Sequence, residues 1–552
     1  MCEGFGTTLP VDYHESMEVG VRAPEFLGDF VAAKYGLDVL FVNPGNAGGV
    51  YQGLADDYAA IEPPTWSLLL AEAMRKKGHS VGILDANAER LSSQEAARRI
   101  HEADPRLVCL VVYGQNVNAG TVGMSGAVAI AEAVRKRHPG ALIGVVGSYV
   151  QALPKKALQD EPSIDFVFTN EGVYALDAVL EAGDLDTDTL SGIKGIAWRS
   201  TEGAVIINPA ERIVPTARMD IDLPGYAWDL LPLDKHPLDL YRSPLWHAEY
   251  DPHKRTPYAA IQTSLGCNFG CSFCMINVIN RNDAEEIGIA SRYSGMRFWS
   301  PEFMVRQFDQ LAEMGVRTIR IVDEMFLLYR KYYEPLCELL ASREYSSELR
   351  MWAYSRIDTV RNPELLALVR RAGIRWLALG IESASKEVRL EVSKGKFDEV
   401  DIARVIEQIH DADIDVMANY MVGLPGETHE TMRETLDLAL ALGTSGWNMY
   451  TAMALPGSEL YAQSVASGSP VPNDYLEYSF HSYETTPMST DFLTPAEILQ
   501  FRDNAFIEYH ASEQFRGRIR ERFGKEVLVN VEGMNKYRMR RRIVEEAAEA
   551  GE

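Results

Sequence analysis

A chain of 552 residues with 46% apolar and 24% charged side chains has a globular composition and is long enough for roughly two to four domains. Its formal charge of −25 argues against a general nucleic-acid surface. The six cysteines give no disulfide framework, no run of about 18 apolar residues marks a membrane span, and Met1 to Val21 lacks the basic region and apolar core of a signal peptide, so a reducing, cytoplasmic setting is expected.

Residues 1–36 read as an extension with at most one helix. The run Leu37 to Val42 then reads as a buried parallel strand entering the loop Asn43-Pro44-Gly45. Further strands are predicted at 80–84, 107–112, 142–146 and 165–169, with helices at 67–77, 93–103 and 124–137. This alternation predicts a doubly wound, Rossmann-like α/β domain over 37–185. Ligands bind such sheets at the carboxyl ends of the strands. The candidate binding residues are therefore Asn43, Pro44, Gly45, Tyr113, Gly114, Gln115, Gly147, Ser148, Glu171 and Gly172. No G-x-G-x-x-G joins the first strand to its helix, which excludes a nicotinamide-binding unit. About twenty residues rich in glycine and aromatics, Asn46 to Thr65, separate the two instead, and so long a loop is expected to be functional.

Residues 186–255 read as a connector, with a hairpin around Ser200 to Gly203 and an aromatic linker from Leu223 to Pro232. From 256 to 470 a longer strand–helix series follows, with strands at 258–263, 317–322, 350–354, 375–380, 414–420 and 446–453. Helices fall near 300–314, 331–342, 363–372, 401–412 and 428–441. Six such strands predict a partial (β/α)6, TIM-like barrel with its chemistry at the strand carboxyl ends. Asp323, Glu324, Arg356, Glu382 and the loop Gly423 to Glu427 all fall at those ends. Residues 471–552 form a C-terminal helical region. Thr494 to Glu497 is a capping-box helix start, and the arginines from 516 to 542 read as a solvated helix face.

The first barrel strand runs into Gly266-Cys267-Asn268-Phe269-Gly270-Cys271-Ser272-Phe273-Cys274, a C-x3-C-x2-C run. Thiolates are soft ligands that suit iron–sulfur clusters or zinc. A closed structural zinc site takes four ligands, and here no fourth Cys or His follows nearby. Cys267, Cys271 and Cys274 on a four-iron cluster would leave one iron open to a substrate. Disulfides between such near neighbours are strained.

This stretch resembles the radical S-adenosylmethionine (SAM) enzymes. The resemblance extends over the barrel, through Asp323-Glu324, Gly380-Ile381-Glu382-Ser383 and Gly423-Leu424-Pro425-Gly426-Glu427. It implies a [4Fe-4S] cluster on the three cysteines, with SAM held by the open iron. Asp323 or Glu324 would accept from the SAM amino group, and Arg356 would pair with its carboxylate. Glu382 would accept from the ribose, and Gly423 and Gly426 would approach the adenine. The N-terminal domain resembles the cobalamin-binding domain that precedes many radical SAM modules, in its alternation, its loop glycines and the segment Ile61 to Trp66. The D-x-H-x-x-G motif of other cobalamin domains is missing, so cobalamin is expected without a protein histidine on cobalt.

Together these resemblances imply a cobalamin-dependent radical SAM methyltransferase. It would methylate an unactivated carbon of a small-molecule natural-product or lipid intermediate, through a 5′-deoxyadenosyl radical and methylcobalamin. An electron donor such as flavodoxin or ferredoxin is implied. The same two domains also serve oxidative ring formation on tetrapyrroles and radical rearrangements, and outside catalysis a cobalamin sensor or carrier. An RNA methylthiotransferase would need a second upstream cysteine set, whereas residues 1–255 hold only Cys2 and Cys109.

Overall fold

The computed structural model describes residues 36–114, 116–183, 185–232, 240–243, 257–360, 362–392 and 401–551. The expected N-terminal extension, Gln115 and parts of the connector lie outside them. Two parallel-rich sheets carry the described chain, and the predicted alternation accounts for both.

The first sheet contains β1 (Leu37–Asn43), β2 (Val81–Asp85), β3 (Pro105–Val112), β4 (Ile143–Gly147), β5 (Phe166–Phe168), β6 (Ile196–Arg199) and β7 (Val205–Ile207), in the order β2-β1-β3-β4-β5-β6-β7. The first five strands pair in parallel, with Val39 opposite both Val81 and Leu107. Their central residues are apolar and buried because helices cover both faces. The hairpin expected in the connector, β6–β7, adds antiparallel to β5 and so completes this sheet. The order reverses at β1, so the carboxyl ends of β1 and β3 flank a crevice, the place where open α/β sheets bind ligands.

Helix Gly120–Arg137 lies beside that crevice. With the turn before it, Val117–Arg137 is apolar and long enough to cross a membrane by composition, a feature the sequence reading passed over. Met124, Ala127, Ile130, Ala131 and Val134 on this helix are buried in the domain core.

The second sheet holds β8 (Tyr258–Ile261), β11 (Thr318–Ile321), β12 (Arg350–Arg356), β13 (Ile374–Glu382), β14 (Asp415–Val422) and β15 (Gly446–Thr451). All pair in parallel, in the order β15-β14-β13-β12-β11-β8, an open half-barrel. A two-stranded addition, β9 (Ser264–Cys267) with β10 (Gly295–Phe298), was not predicted. It is too short to show a period of its own, and it delivers the first cysteine.

The linker is packed by its aromatics as expected: Tyr226 stacks on Trp228 at 5.1 Å, and the Trp299 indole donates to the Leu223 carbonyl at 2.8 Å. The C-terminal helices Pro495–Ala511, Glu513–Phe523, Lys525–Met534 and Arg542–Gly551 close the β15 side. Trp447 of β15 stacks on Tyr509 at 5.2 Å.

Candidate active site

The cysteine loop is built on a buried carboxylate. Asp323, just past β11, accepts from the Thr263 amide and hydroxyl and from the Ser264 hydroxyl, each at 2.6 Å. It is 2% exposed and does not line the cavity described below. Asp323 thus anchors the turn into β9, and of the acidic pair it is Glu324 that faces the cavity. At Gly266, φ is +84° and a Cβ would lie 2.3 Å from the Gly295 carbonyl, so only glycine permits this approach of β9 to β10.

The Cys267 amide then donates to Asn277 Oδ1 at 2.8 Å, and the Phe269 amide donates to Cys267 Sγ at 3.4 Å. The Ser272 amide donates to the Val392 carbonyl at 3.0 Å. All three sulfurs reach one cavity. Burial pushes the Cys267 thiol up to about 12, and that of Cys274 higher still. Thiolates at these positions therefore require a cation, and three convergent soft donors fit an iron–sulfur cluster.

Around the sulfurs stand the predicted acids. Burial raises Glu324 to about 8 and Glu382 to about 7. Glu382 has φ +67° at an irregularity in the β13–β14 pairing, a local strain that turns its side chain out of the strand's alternation. Arg356 also lines the cavity, but its guanidinium grips Asp358 through two bonds of 2.6 Å and lies 3.6 Å over the Phe269 ring. It holds the cysteine loop from below.

Gly423 and Gly426 do not line the cavity. A Cβ on Gly423 would meet Ile498 at 2.8 Å, so its close approach is to the C-terminal helix, not to an adenine. Glu427 folds the same loop on itself by accepting from the Leu424 amide at 3.1 Å.

In the N-terminal domain, Asn43, Pro44 and Gly114 line the cavity. Asn43 donates to Asp85 at 2.7 Å, and burial raises the Asp85 carboxyl to about 6. The remaining described candidates lie elsewhere. Gly45 packs under Asn87, and Tyr113 stacks on Trp66 at 4.5 Å and contacts Gln151 through its hydroxyl. Gly147 sits against the Val112 carbonyl, and Ser148 donates to the Val117 carbonyl at 2.6 Å. Gly172 starts the helix Val173–Glu181. Glu171 is buried and receives two bonds from Arg297, of 3.0 and 2.7 Å, plus the Val214 amide at 2.6 Å. Gln115 is outside the described residues.

The cavity measures about 910 Å³ and is walled by three parts of the chain. Its roof is the long loop after β1, which folds into the short helices Ala47–Tyr51 and Leu54–Asp57. Gln52 Nε2 donates to the His481 carbonyl at 2.8 Å and the Tyr537 hydroxyl accepts from the Gly53 amide at 2.8 Å, which ties the roof to the C-terminal region. Below it, Arg320 pairs with Glu62 and lies over Trp352 and Tyr354, at 4.9 and 5.0 Å.

Asn43, Asn46, Asn87, Asn116 and Asn118 line the N-terminal end. Neutral amide donors suit a large cofactor fringed with carboxamides, such as a corrin, and no described histidine of the N-terminal domain joins them. His79 pairs with Asp177 at 3.1 Å, while His101 and His138 pack ring to ring at 5.9 Å. The one described histidine that lines the cavity, His481, comes from the C-terminal region.

The basic C-terminal arginines are only partly a solvated face: Arg520, Arg538 and Arg540 are exposed, but others are used internally. Arg541 is 3% exposed and chelates Asp503, while Arg522 reaches Asp415 at 2.9 Å. Tyr509 and Phe515 are buried in the Trp447 cluster.

A half-barrel presenting three cysteines and strand-end acids, under a doubly wound domain with an amide-lined crevice, defines a radical SAM enzyme with a cobalamin-binding domain. The chain matches the Radical SAM superfamily over residues 261–439 and the B12 binding domain over residues 51–180, so both domains are present in one chain. Among its relatives is an uncharacterised methyltransferase of Pyrococcus horikoshii, 24% identical over 81% of this chain and 88% of that one. The anaerobic magnesium-protoporphyrin IX monomethyl ester cyclase of Cereibacter sphaeroides is 25% identical over 84% and 68%. The fold is that of the radical SAM methyltransferase TsrM from Kitasatospora setae, solved with cobalamin and a [4Fe-4S] cluster, with a TM-score of 0.59, 17% identity, and 90% and 99% of the two chains covered.

Proposed function

We propose that this enzyme is a cobalamin-dependent methyltransferase acting on a carbon of a small molecule. One observation carries the reading: a single cavity is lined both by the amide-bearing loops after β1 and β3 and by Cys267, Cys271 and Cys274. A methyl donor held at the first and a radical source held at the second would face the same substrate. When bound, a cluster with SAM supplies a hydrogen-abstracting radical, and cobalamin supplies a transferable methyl group.

The chain's own residues position and shield. Cys267, Cys271 and Cys274 would hold the cluster. Glu324, whose carboxyl burial raises to about 8, would ionise against the SAM ammonium and fix the amino-acid end near the sulfurs. Glu382 would accept the ribose hydroxyls in the same way. Arg356, already committed to Asp358, would add positive charge beneath the cluster loop without being the sole carboxylate clamp. The roof helices and the C-terminal strap exclude water from the space between the cofactors.

Asn43, Asn46 and Asn116 would meet the amide fringe of cobalamin, and among the described residues no histidine of the N-terminal domain lines the cavity to offer cobalt an imidazole. The test is anaerobic incubation of the reconstituted enzyme with an extract of small metabolites. Cobalamin-dependent formation of S-adenosylhomocysteine, 5′-deoxyadenosine and a product heavier by one methylene supports methyl transfer. A product that is oxidised without gaining carbon would move the reading to the cyclase relatives.

A further inference from the structure

At the β15 edge of the cavity, the end of the sheet farthest in strand order from β8 and the cysteine loop, two arginines share one carboxylate. Asp503 accepts from Arg541 Nε at 2.8 Å and Nη2 at 3.1 Å, and from Arg502 Nη1 at 3.0 Å. Arg541 is saturated: its remaining donors reach the Ser482 carbonyl at 2.8 Å, the Thr485 hydroxyl at 2.9 Å and the Phe480 carbonyl at 3.0 Å. Arg541 with Asp503 is therefore a neutral structural pair that ties the C-terminal strap to the helix Pro495–Ala511.

Arg502 is the surplus cation. Its Nε donates to the Met449 carbonyl of β15 at 2.9 Å, which fixes the guanidinium plane, and Nη1 takes only a share of Asp503. Among the described residues no partner is recorded for Nη2. The residue is 5% exposed, yet it lines the cavity.

Of the other cations on the wall, Arg90 pairs with Asp56, Arg320 with Glu62, Arg356 with Asp358 and Arg540 with Glu545, while Arg538 is exposed and donates to the Asn535 and Tyr537 carbonyls, so Arg502 is the buried cation left with only a share of a carboxylate. His481, on the same wall, is held neutral by burial beside Arg502 and Arg541. A buried guanidinium without its own counterion is costly, and a ligand anion removes that cost while using the planar donor fork. Next to it stand Tyr450, Phe480 and Phe506, with the Arg502 guanidinium 5.6 Å over the Phe506 ring and Tyr450 and Phe480 4.9 Å apart. The anion's carrier is thus an apolar or aromatic body.

We propose that Arg502 is a substrate-anchoring residue, and that the small molecule acted on is an organic anion whose carboxylate or phosphoryl group sits against Arg502 while its apolar part reaches toward the cysteine loop. This rests on the reading of the cavity as the methyltransfer site and narrows its substrate class. The anchor holds the far end of the substrate, so it fixes which carbon meets the radical.

The enzyme loaded with cluster and cobalamin, and saturated with S-adenosylhomocysteine so that the SAM site is filled, is titrated with benzoate, with phenyl phosphate and with the neutral isostere benzamide. Binding is read by calorimetry and by the shift in thermal midpoint. At least one anion is expected to bind tenfold or more tightly than benzamide, and the better of the two assigns carboxylate or phosphoryl. Arg502→Met should abolish that preference and Arg502→Lys should retain part of it, with cobalamin and cluster absorption unchanged in both. Equal binding of the anions and benzamide by the unaltered enzyme, or an undiminished preference in Arg502→Met, would overturn the assignment. Should Arg502→Met fail to fold, the comparison on the unaltered enzyme and Arg502→Lys decides alone. Failure here with cobalamin-dependent methyl transfer intact rejects only the anion anchor. Discrimination without methyl transfer rejects the reaction and keeps the site.

Discussion

Asn118, in the turn after β3, touches the third cysteine of the opposite domain: its amide group lies 3.8 Å from Cys274 Sγ, and its Oδ1 accepts the Met275 amide at 3.1 Å. One side chain of the cobalamin-binding domain thus donates to a sulfur of the cluster loop. Hydrogen bonds to cluster sulfurs raise the reduction potential. Asn118→Leu, of similar volume, is expected to make the reconstituted cluster harder to reduce, as measured by potentiometric titration with EPR detection. An unchanged potential would make Asn118 a packing residue only.

The Glu171–Arg297 pair joins the first sheet to β10. Both side chains are nearly dry, so removing one partner strands a buried charge, at a cost of about 3–5 kcal/mol. Glu171→Gln should lower the denaturation free energy by this order, and Glu171→Gln with Arg297→Met should recover much of it. A Glu171→Gln protein of unchanged stability but weakened cobalamin binding would return Glu171 to the ligand site.

Asp323 holds three donors at the base of the cysteine loop. Charge-assisted bonds contribute roughly 1.5–3 kcal/mol each. Asp323→Ala should destabilise the protein by about 3 kcal/mol or more, allowing for partial rescue by water, and should reduce iron bound per chain. Glu324→Gln should instead keep its iron and lose SAM affinity. Iron content and SAM binding, measured side by side, separate the two roles.

Glu382 titrates in the folded state at about 7 instead of 4.5 because it is buried. Between those values the folded chain holds the proton that the unfolded chain has released. Its contribution to stability is therefore fully present below 4.5 and is lost as pH rises through about 7. Glu382→Gln should gain stability relative to the unaltered protein across that window and hold a constant advantage above it. Denaturant midpoints compared from about pH 5 to about pH 8 check the sign. An advantage that shrinks with pH would contradict it.

Much of the frame was legible because it rests on short-range patterns. Apolar runs of Val, Ile and Leu marked the strands, and C-x3-C-x2-C needs only nine residues of context from Gly266 to Cys274. What failed did so for physical reasons. Strand ends mark a region but not a direction: Asp323 and Glu324 are adjacent, and one points into the loop base while the other points into the cavity. The same ambiguity put Ser148 and Glu171 among cofactor contacts when their partners, Val117 and Arg297, were invisible in sequence. Arg541 looked like part of a solvated basic run because Asp503, which it binds, lies 38 residues away. The amides Asn87 and Asn118 carried no motif at all. Only the topology, which brings the loops after β1, β2 and β3 to one crevice, gathers them.

The most direct test of a shared methyltransfer cavity uses SAM carrying three deuteriums on its methyl group, in anaerobic turnover with and without cobalamin. Mass spectrometry of the product should find the label on carbon only when cobalamin is present, with 5′-deoxyadenosine formed alongside. Labelled product made equally well without cobalamin, or a cobalamin-dependent product with no label, would contradict it.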